Sequence, residues 1–183
     1  MTFQTDAAAE PKARRAVTDL QRFGVTIPTS VRAALTRLDE LAAAAPKAPS
    51  HRELVDALLA GDEATAGALA VEHATYDVRR AAHSEAVMRA ARTVSDTIRE
   101  HRAPIAKQLG KLAQGYADKI AAASRITGTL EALIRAGRIA DAELVTAAEP
   151  NTQALNALNA WADRNLGRHL DVTVPDPDAA PAV

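Results

Sequence analysis

The chain has 183 residues, enough for about one ordinary domain, and a formal net charge of −1. Helix-favouring alanine, leucine and arginine are abundant, whereas aromatic residues make up only 3% of the sequence, which predicts an all-α protein. The absence of cysteine excludes disulfides, thiol catalysis and cysteine-ligated zinc, and no apolar run approaches the roughly 20 residues of a membrane span.

The N-terminal segment, residues 1–61, is predicted to form short helices. Gly24 ends the first of them, because glycine readily adopts the left-handed conformation that follows a helix. A second helix follows, and then Ser50 and Glu53 have the spacing of a capping box, in which each side chain binds the backbone N–H of the other. The short helix that this box begins is expected to end at Gly61.

The next segment, residues 62–137, is compatible with one long amphipathic helix, which Pro104 would kink. Its apolar residues recur at steps of three and four, and their heptad phase is unchanged across Pro104. This phase continuity favours a kinked helix, although a hairpin turn at Pro104 remains the alternative. The residues of this interaction seam are Val87, Val94, Ile98, Ile105, Leu109, Leu112, Tyr116, Ile126, Leu130 and Leu133.

A continuous helix of this length would measure about 110 Å, which is too long for one compact globule of this size. We therefore predict an elongated antiparallel helical bundle or coiled coil with one long central helix. Alanine buries little apolar area per residue, so a long alanine-rich helix gains stability by associating with others. The interaction seam is accordingly expected to mediate self-association or docking onto a larger protein assembly.

Residues 138–170 are predicted to form a pair of helices separated by Pro150. The second helix carries Leu158 and Trp161, a set that suits docking into the groove of a partner protein. The alternative, which we favour, is that this helix folds back onto the protein's own bundle, because the chain has few other large residues to complete a core. Residues 171–183 alternate Asp and Pro with small residues and predict a disordered acidic tail.

The sequence contains no motif typical of an enzyme. No two of the five histidines lie three or four residues apart, the spacing that a pair of metal ligands on one helix requires. Serine-nucleophile and phosphate-loop motifs are also missing. We therefore predict no catalytic residues, no metal and no cofactor.

A small helical DNA-binding regulator is the alternative function. Residues 16–41 have the pattern of helix, glycine turn and helix, with Arg32, Thr36 and Arg37 on the second helix able to reach a DNA groove. Asp39 on the same helix would repel phosphates, so nucleic acid is not the partner that we favour.

The stretch of residues 54–62, LVDALLAGD, is followed by a long Ala- and Arg-rich amphipathic helix. Across residues 50–137 this composition and layout resembles uncharacterised helical proteins of actinobacterial phages and prophages. The resemblance implies a structural or assembly role, such as scaffolding. We therefore predict a non-enzymatic interaction or assembly protein, cytoplasmic or virion-associated, that binds copies of itself or a larger assembly and no membrane.

Overall fold

The computed structural model describes residues 8–172, and within that range the regular secondary structure is all α-helix, with no β-strand. The predicted all-α class is confirmed. Residues 173–183, most of the predicted tail, lie outside the described range. The helices are α1 (Ala9–Arg22), α2 (Thr29–Ala43), α3 (His51–Leu59), α4 (Glu63–Glu100), α5 (Arg102–Ser124), α6 (Leu130–Arg135) and α7 (Ile139–Leu166).

The chain divides into two compact units, each made of two segments. The N-terminal unit consists of Met1–Arg15 and Pro28–Thr97, and the C-terminal unit consists of Ala16–Ile27 and Ile98–Val183. None of the helices that the structure describes is both long enough and apolar enough to cross a membrane.

In the N-terminal unit the ends of α3 and the start of α4 follow from local side-chain chemistry. The Ser50 hydroxyl accepts a hydrogen bond from the backbone N–H of Glu53 at 3.3 Å, which caps α3 as predicted. Gly61 ends the turn after α3 with a φ of 70°. The Asp62 carboxylate then accepts a bond from the N–H of Thr65 at 3.1 Å and caps α4.

The interior of the N-terminal unit is built mostly from small side chains. His51 of α3 and His73 of α4 meet edge to face, with ring centroids 6.1 Å apart. Alanines are small enough to let helix axes approach closely, but each buries little apolar surface. The buried residues of this unit are Ala13, Val31, Leu38, Ala57, Ala66, Val87, Ala91 and Val94.

The C-terminal unit contains the largest buried side chains. Helix α5 packs along α7, and α6 packs against the start of α7. Trp161 is fully buried, and its indole N–H donates to the backbone carbonyl of Ala16 at 3.1 Å. The other large residues of this core are Val17, Leu20, Val25, Ile27, Ile98, Ile105, Leu109, Leu133, Leu158, Leu166 and Leu170.

The expected helix over residues 62–137 is interrupted at His101. This residue alone separates α4 from α5, with φ −92° and ψ 19°, and the N–H of Ile105 still donates to its carbonyl at 3.2 Å. One residue is shorter than the roughly two to five that join helices in a hairpin, so Pro104 does not mark a hairpin turn. Pro104 lies in the first turn of α5, where the backbone N–H that proline lacks would have no helical acceptor.

The same helical segment also ends earlier than predicted. Helix α5 stops at Ser124, and Gly128 then takes a φ of 113° that only glycine adopts readily. The Thr129 hydroxyl accepts from the N–H of Ala132 at 3.3 Å and caps a new helix, α6. The loop before α6 therefore follows from a glycine and a cap that outweigh the helical periodicity on either side.

Pro150 does not separate two helices as predicted, because α7 runs through it without a break. Proline lacks an N–H, so the carbonyl of Thr146 has no helical donor there. That single lost hydrogen bond is offset by the packing of α7 along α5. Helix α7 instead ends at Gly167, which has a φ of 65°.

Candidate interaction surfaces

The predicted interaction seam is largely buried within the single chain. Leu112, Tyr116 and Ile126 are half-buried, and Leu130 is exposed. Side chains that fill a core cannot contact a second copy unless the core opens, so the buried residues of the seam do not form a self-association surface. The buried members of the seam are Val87, Val94, Ile98, Ile105, Leu109 and Leu133.

Leu158 and Trp161 are also part of the core and not exposed anchors for a partner. Their exposed fractions are 1% and 0%, and the hydrogen bond from the Trp161 indole to Ala16 fixes the ring inside the C-terminal unit. Of the two alternatives that the sequence leaves open, the structure shows the one in which the last helix folds back onto its own chain.

The exposed face of α2 does not present an uncompensated basic surface for DNA. Arg32, Thr36 and Arg37 are all exposed. The Arg37 guanidinium lies 3.2 Å from the Glu40 carboxylate, however, and Asp39 is ion-paired with Arg14 of α1. Carboxylates therefore accompany the cations that would contact phosphates, and they would repel a nucleic-acid backbone.

The first half of α4 has apolar residues on two opposite sides. On one side Ala66 is buried, while Leu69 and Tyr76 are half-buried inside the N-terminal unit. On the other side all the residues are exposed, and Val71 and Val78 expose 63% and 71% of their surface. We call this second side the outer face of α4; its residues are Ala64, Gly67, Ala68, Val71, Ala74, Thr75, Val78, Ala81 and Ala82.

Charges are distributed unevenly along the outer face of α4. Residues 62–78 contain four carboxylates and no Lys or Arg. Arg79 and Arg80 follow immediately, and both are exposed. Asp62 and Glu63 therefore lie at the end of the outer face where α4 begins, and Arg79 lies beside its other end.

A second uncovered apolar surface lies on the C-terminal unit, in a groove of about 530 Å³ between α6 and the first half of α7. Three aliphatic side chains on its walls are well exposed: Leu130 by 42%, Ile134 by 53% and Ile139 by 51%. We call this feature the α6–α7 groove; its lining residues are Leu130, Ile134, Ile139, Ala142, Glu143, Thr146, Ala147 and Pro150.

A third concave feature, a cleft of about 740 Å³, lies in the N-terminal unit and has a mixed lining that includes Tyr76, Arg80, His83 and Ser84. The Nε2 atom of His83 lies 2.7 Å from the carbonyl oxygen of Leu41, so this ring nitrogen is engaged with the backbone. Within residues 8–172 no three His, Asp or Glu side chains converge in a way that could hold a metal ion.

No protein-family model, curated protein or solved structure matches this chain. The assignment of a function therefore rests on the surfaces themselves. The outer face of α4 was missed at the level of sequence, although Ala64, Ala68, Val71, Val78 and Ala82 have helical spacing. Alanine-rich helices show apolar spacing on several sides at once, so periodicity alone did not distinguish the covered side from the exposed one.

Proposed function

We propose that this protein is a non-enzymatic, self-associating helical assembly protein whose outer face of α4 pairs with the same face of a second copy. The observation that carries this proposal is the exposure of Val71 and Val78, 63% and 71%, in the middle of a helix face made otherwise of small residues. Such exposed apolar surface marks interaction sites in proteins. An assembly role is also what the resemblance to phage and prophage helical proteins implies, with action in the cytoplasm or in a virion.

The charges of α4 favour an antiparallel pair of helices. The outer face runs from Ala64 to Ala82, so two copies that overlap fully cross near residue 73. Glu63 of one copy then lies about one helical turn from Arg79 of the other, and the same contact recurs at the opposite end. A parallel pair would place like charges together at both ends, which is unfavourable.

Small side chains set the geometry of this contact. Alanine and glycine let two helix axes approach closely, and the two valines supply most of the aliphatic area that leaves water. The contact covers only about five helical turns, so we expect a dimer that dissociates in the micromolar range.

The first test measures self-association by sedimentation velocity over a range of concentrations. The double variant Val71→Glu/Val78→Glu should remain monomeric where the parent chain dimerises, and circular dichroism should show an unchanged helix content because both positions are exposed. The control Ala157→Glu/Ala160→Glu adds the same charge at exposed positions of α7 and should dimerise normally. A parent chain that stays monomeric at high micromolar concentration contradicts the proposal.

The second test determines the orientation of the pair and uses the absence of cysteine from the chain. In an antiparallel pair the two copies of residue 64 lie about 27 Å apart, whereas residue 64 of one copy faces residue 82 of the other. Ala64→Cys and Ala82→Cys should therefore form a disulfide only when mixed. Efficient oxidation of either variant alone would indicate a parallel pair.

The third test exchanges the charges. Glu63→Arg and Arg79→Glu should each weaken the dimer, because each puts like charges at the ends of the contact. The combined variant restores opposite charges and should recover most of the affinity of the parent chain. A combined variant as weak as the single variants would contradict the antiparallel pairing.

A further inference from the structure

The α6–α7 groove is long enough to bind about three turns of a helix. On α7 its lining residues recur at steps of one, three and four from Ile139 to Pro150, which is about three helical turns or 16 Å. On α6 the opposite wall presents Leu130 and Ile134, one turn apart. A bound helix would therefore contact both walls with anchors at positions i, i+3 or i+4, and i+7.

The α7 wall of the groove carries one carboxylate, Glu143, and no basic side chain. From Ile139 to Ala162 helix α7 contains three carboxylates and no Lys, Arg or His. Glu143 lines the groove, Glu149 lies next to Pro150 at its far end, and Asp141 is ion-paired with Arg138 at 2.6 Å. The α6 wall is balanced, because it carries one acidic and one basic residue.

The groove also offers a backbone hydrogen-bond acceptor. Pro150 has no N–H, so the carbonyl oxygen of Thr146 has no partner one turn later in the helix. Both residues line the groove. A cationic side chain from a bound molecule could donate to this carbonyl as well as to the Glu143 carboxylate on the same wall.

We propose that the α6–α7 groove binds an amphipathic helix of a partner protein, with aliphatic anchors on one face and Lys or Arg along the flank that faces α7. The apolar walls account for the anchors, and the carboxylates of α7 account for the basic flank. This site is on a different unit from the outer face of α4 and does not depend on the pairing of α4.

The charge pattern also argues against other occupants of the groove. A twofold contact that pairs the α7 wall of one copy with the α7 wall of another would bring carboxylates together, where like charges repel. Nucleic acid and anionic lipid surfaces would be repelled by the same carboxylates.

The test uses two fluorescent peptides of about four helical turns, each with leucines at i, i+3 and i+7. One peptide carries lysines along one flank, and the other carries glutamates at the same positions. Fluorescence anisotropy should show binding of the lysine peptide at micromolar concentration, and at least about tenfold weaker binding of the glutamate peptide.

Three variants locate the binding in the groove. Ile134→Glu should lower the affinity for the lysine peptide by about tenfold or more, because it places a charge among the aliphatic side chains of the groove. Leu59→Glu, at a leucine of the N-terminal unit that is more exposed than Ile134, should leave binding unchanged. Glu143→Lys/Glu149→Lys should reverse the preference between the two peptides.

Two control measurements separate loss of binding from loss of folding and from loss of self-association. Unchanged fluorescence of the buried Trp161 shows that the C-terminal unit is folded in each variant, and Val71→Glu/Val78→Glu should still bind the lysine peptide. The proposal is overturned if neither peptide binds, if both bind equally and Ile134→Glu has no effect, or if Ile134→Glu abolishes self-association instead. That last result would assign the groove to a second copy of the chain.

Discussion

The two units differ in where they place their large apolar side chains. In the C-terminal unit Leu109, Leu158 and Trp161 are at most 1% exposed. In the described part of the N-terminal unit the buried residues other than Leu38 are alanines and valines, while Leu59 is 82% exposed and Val78 is 71% exposed. The comparison shows that the C-terminal unit uses most of its large residues to stabilise its own fold and exposes aliphatic side chains at the α6–α7 groove, whereas the N-terminal unit has few large buried residues and leaves more aliphatic surface exposed.

The largest expected effect is on the core of the C-terminal unit. Trp161→Ala should lower the free energy of unfolding by about 3–5 kcal/mol, because it leaves a cavity and removes the donor to the Ala16 carbonyl. Urea denaturation followed by circular dichroism measures this loss. Trp161→Phe, which keeps most of the ring volume, should cost clearly less.

The fluorescence emission of the parent chain tests the burial of Trp161 without a substitution. Trp161 is the only tryptophan and is fully buried, so its emission should be blue-shifted and resistant to iodide. A red-shifted emission that iodide quenches readily would place this residue in water.

The same substitution made once in each unit tests the comparison directly. Leu109→Ala, at a fully buried position, should cost about 2–5 kcal/mol, whereas Leu59→Ala should change the free energy of unfolding by less than about 0.5 kcal/mol. Chemical denaturation of both variants at one low concentration gives the two values. Similar losses at the two positions would remove the distinction between the units.

Amide hydrogen exchange at two protein concentrations sharpens the comparison further. If the outer face of α4 pairs between copies, amides of residues 64–82 should exchange more slowly at high concentration, because pairing protects that helix. Amides in the buried part of α5 should exchange at the same rate at both concentrations. Equal exchange of residues 64–82 at the two concentrations would mean that the pairing does not occur.

The smallest expected effect concerns the cap at the start of α4. Hydrogen bonds from the hydroxyl and the N–H of Thr65 hold the pKa of the Asp62 carboxyl below its ordinary value of 3.8. Because the folded pKa is the lower one, the cap contributes its full stabilisation above that ordinary value, and the contribution is lost as the pH falls through the folded pKa.

Titration of the Thr65 amide signal by NMR at acidic pH should follow this loss. Asp62→Asn keeps a good cap and has no carboxyl to titrate, so its Thr65 signal should lack that transition. The same transition in both proteins would mean that another group is responsible.

The helix boundaries that could be predicted are those that depend on neighbouring residues alone. Ser50 caps α3, Asp62 caps α4, and Gly24, Gly61 and Gly137 take positive φ values where a helix was expected to end. Each of these features needs only a side chain and the backbone within one turn, so the sequence contains all the information required.

The helix boundaries that the sequence predicts wrongly depend on distant contacts or on competing local signals. Pro150 does not end a helix because the packing of α7 against α5 maintains it. Gly128 followed by the cap residue Thr129 is a local signal for a break between helices, whereas the apolar periodicity across the same residues predicts a continuous helix. The spacing of the apolar residues between 87 and 133 does not show which other helices cover them. It therefore could not decide whether these residues form an internal core or a surface for a second molecule.

The bond between the Trp161 indole and the Ala16 carbonyl joins positions 145 residues apart in the chain. During synthesis the segment Ala16–Ile27 emerges early and then waits for its partners until α7 has been made, about ten seconds later at ordinary translation rates. The apolar residues of that segment are uncovered in the interval and can bind other nascent chains or chaperones. Closure of so long a loop is also slow, so completion of the C-terminal unit should limit the rate at which the whole chain folds.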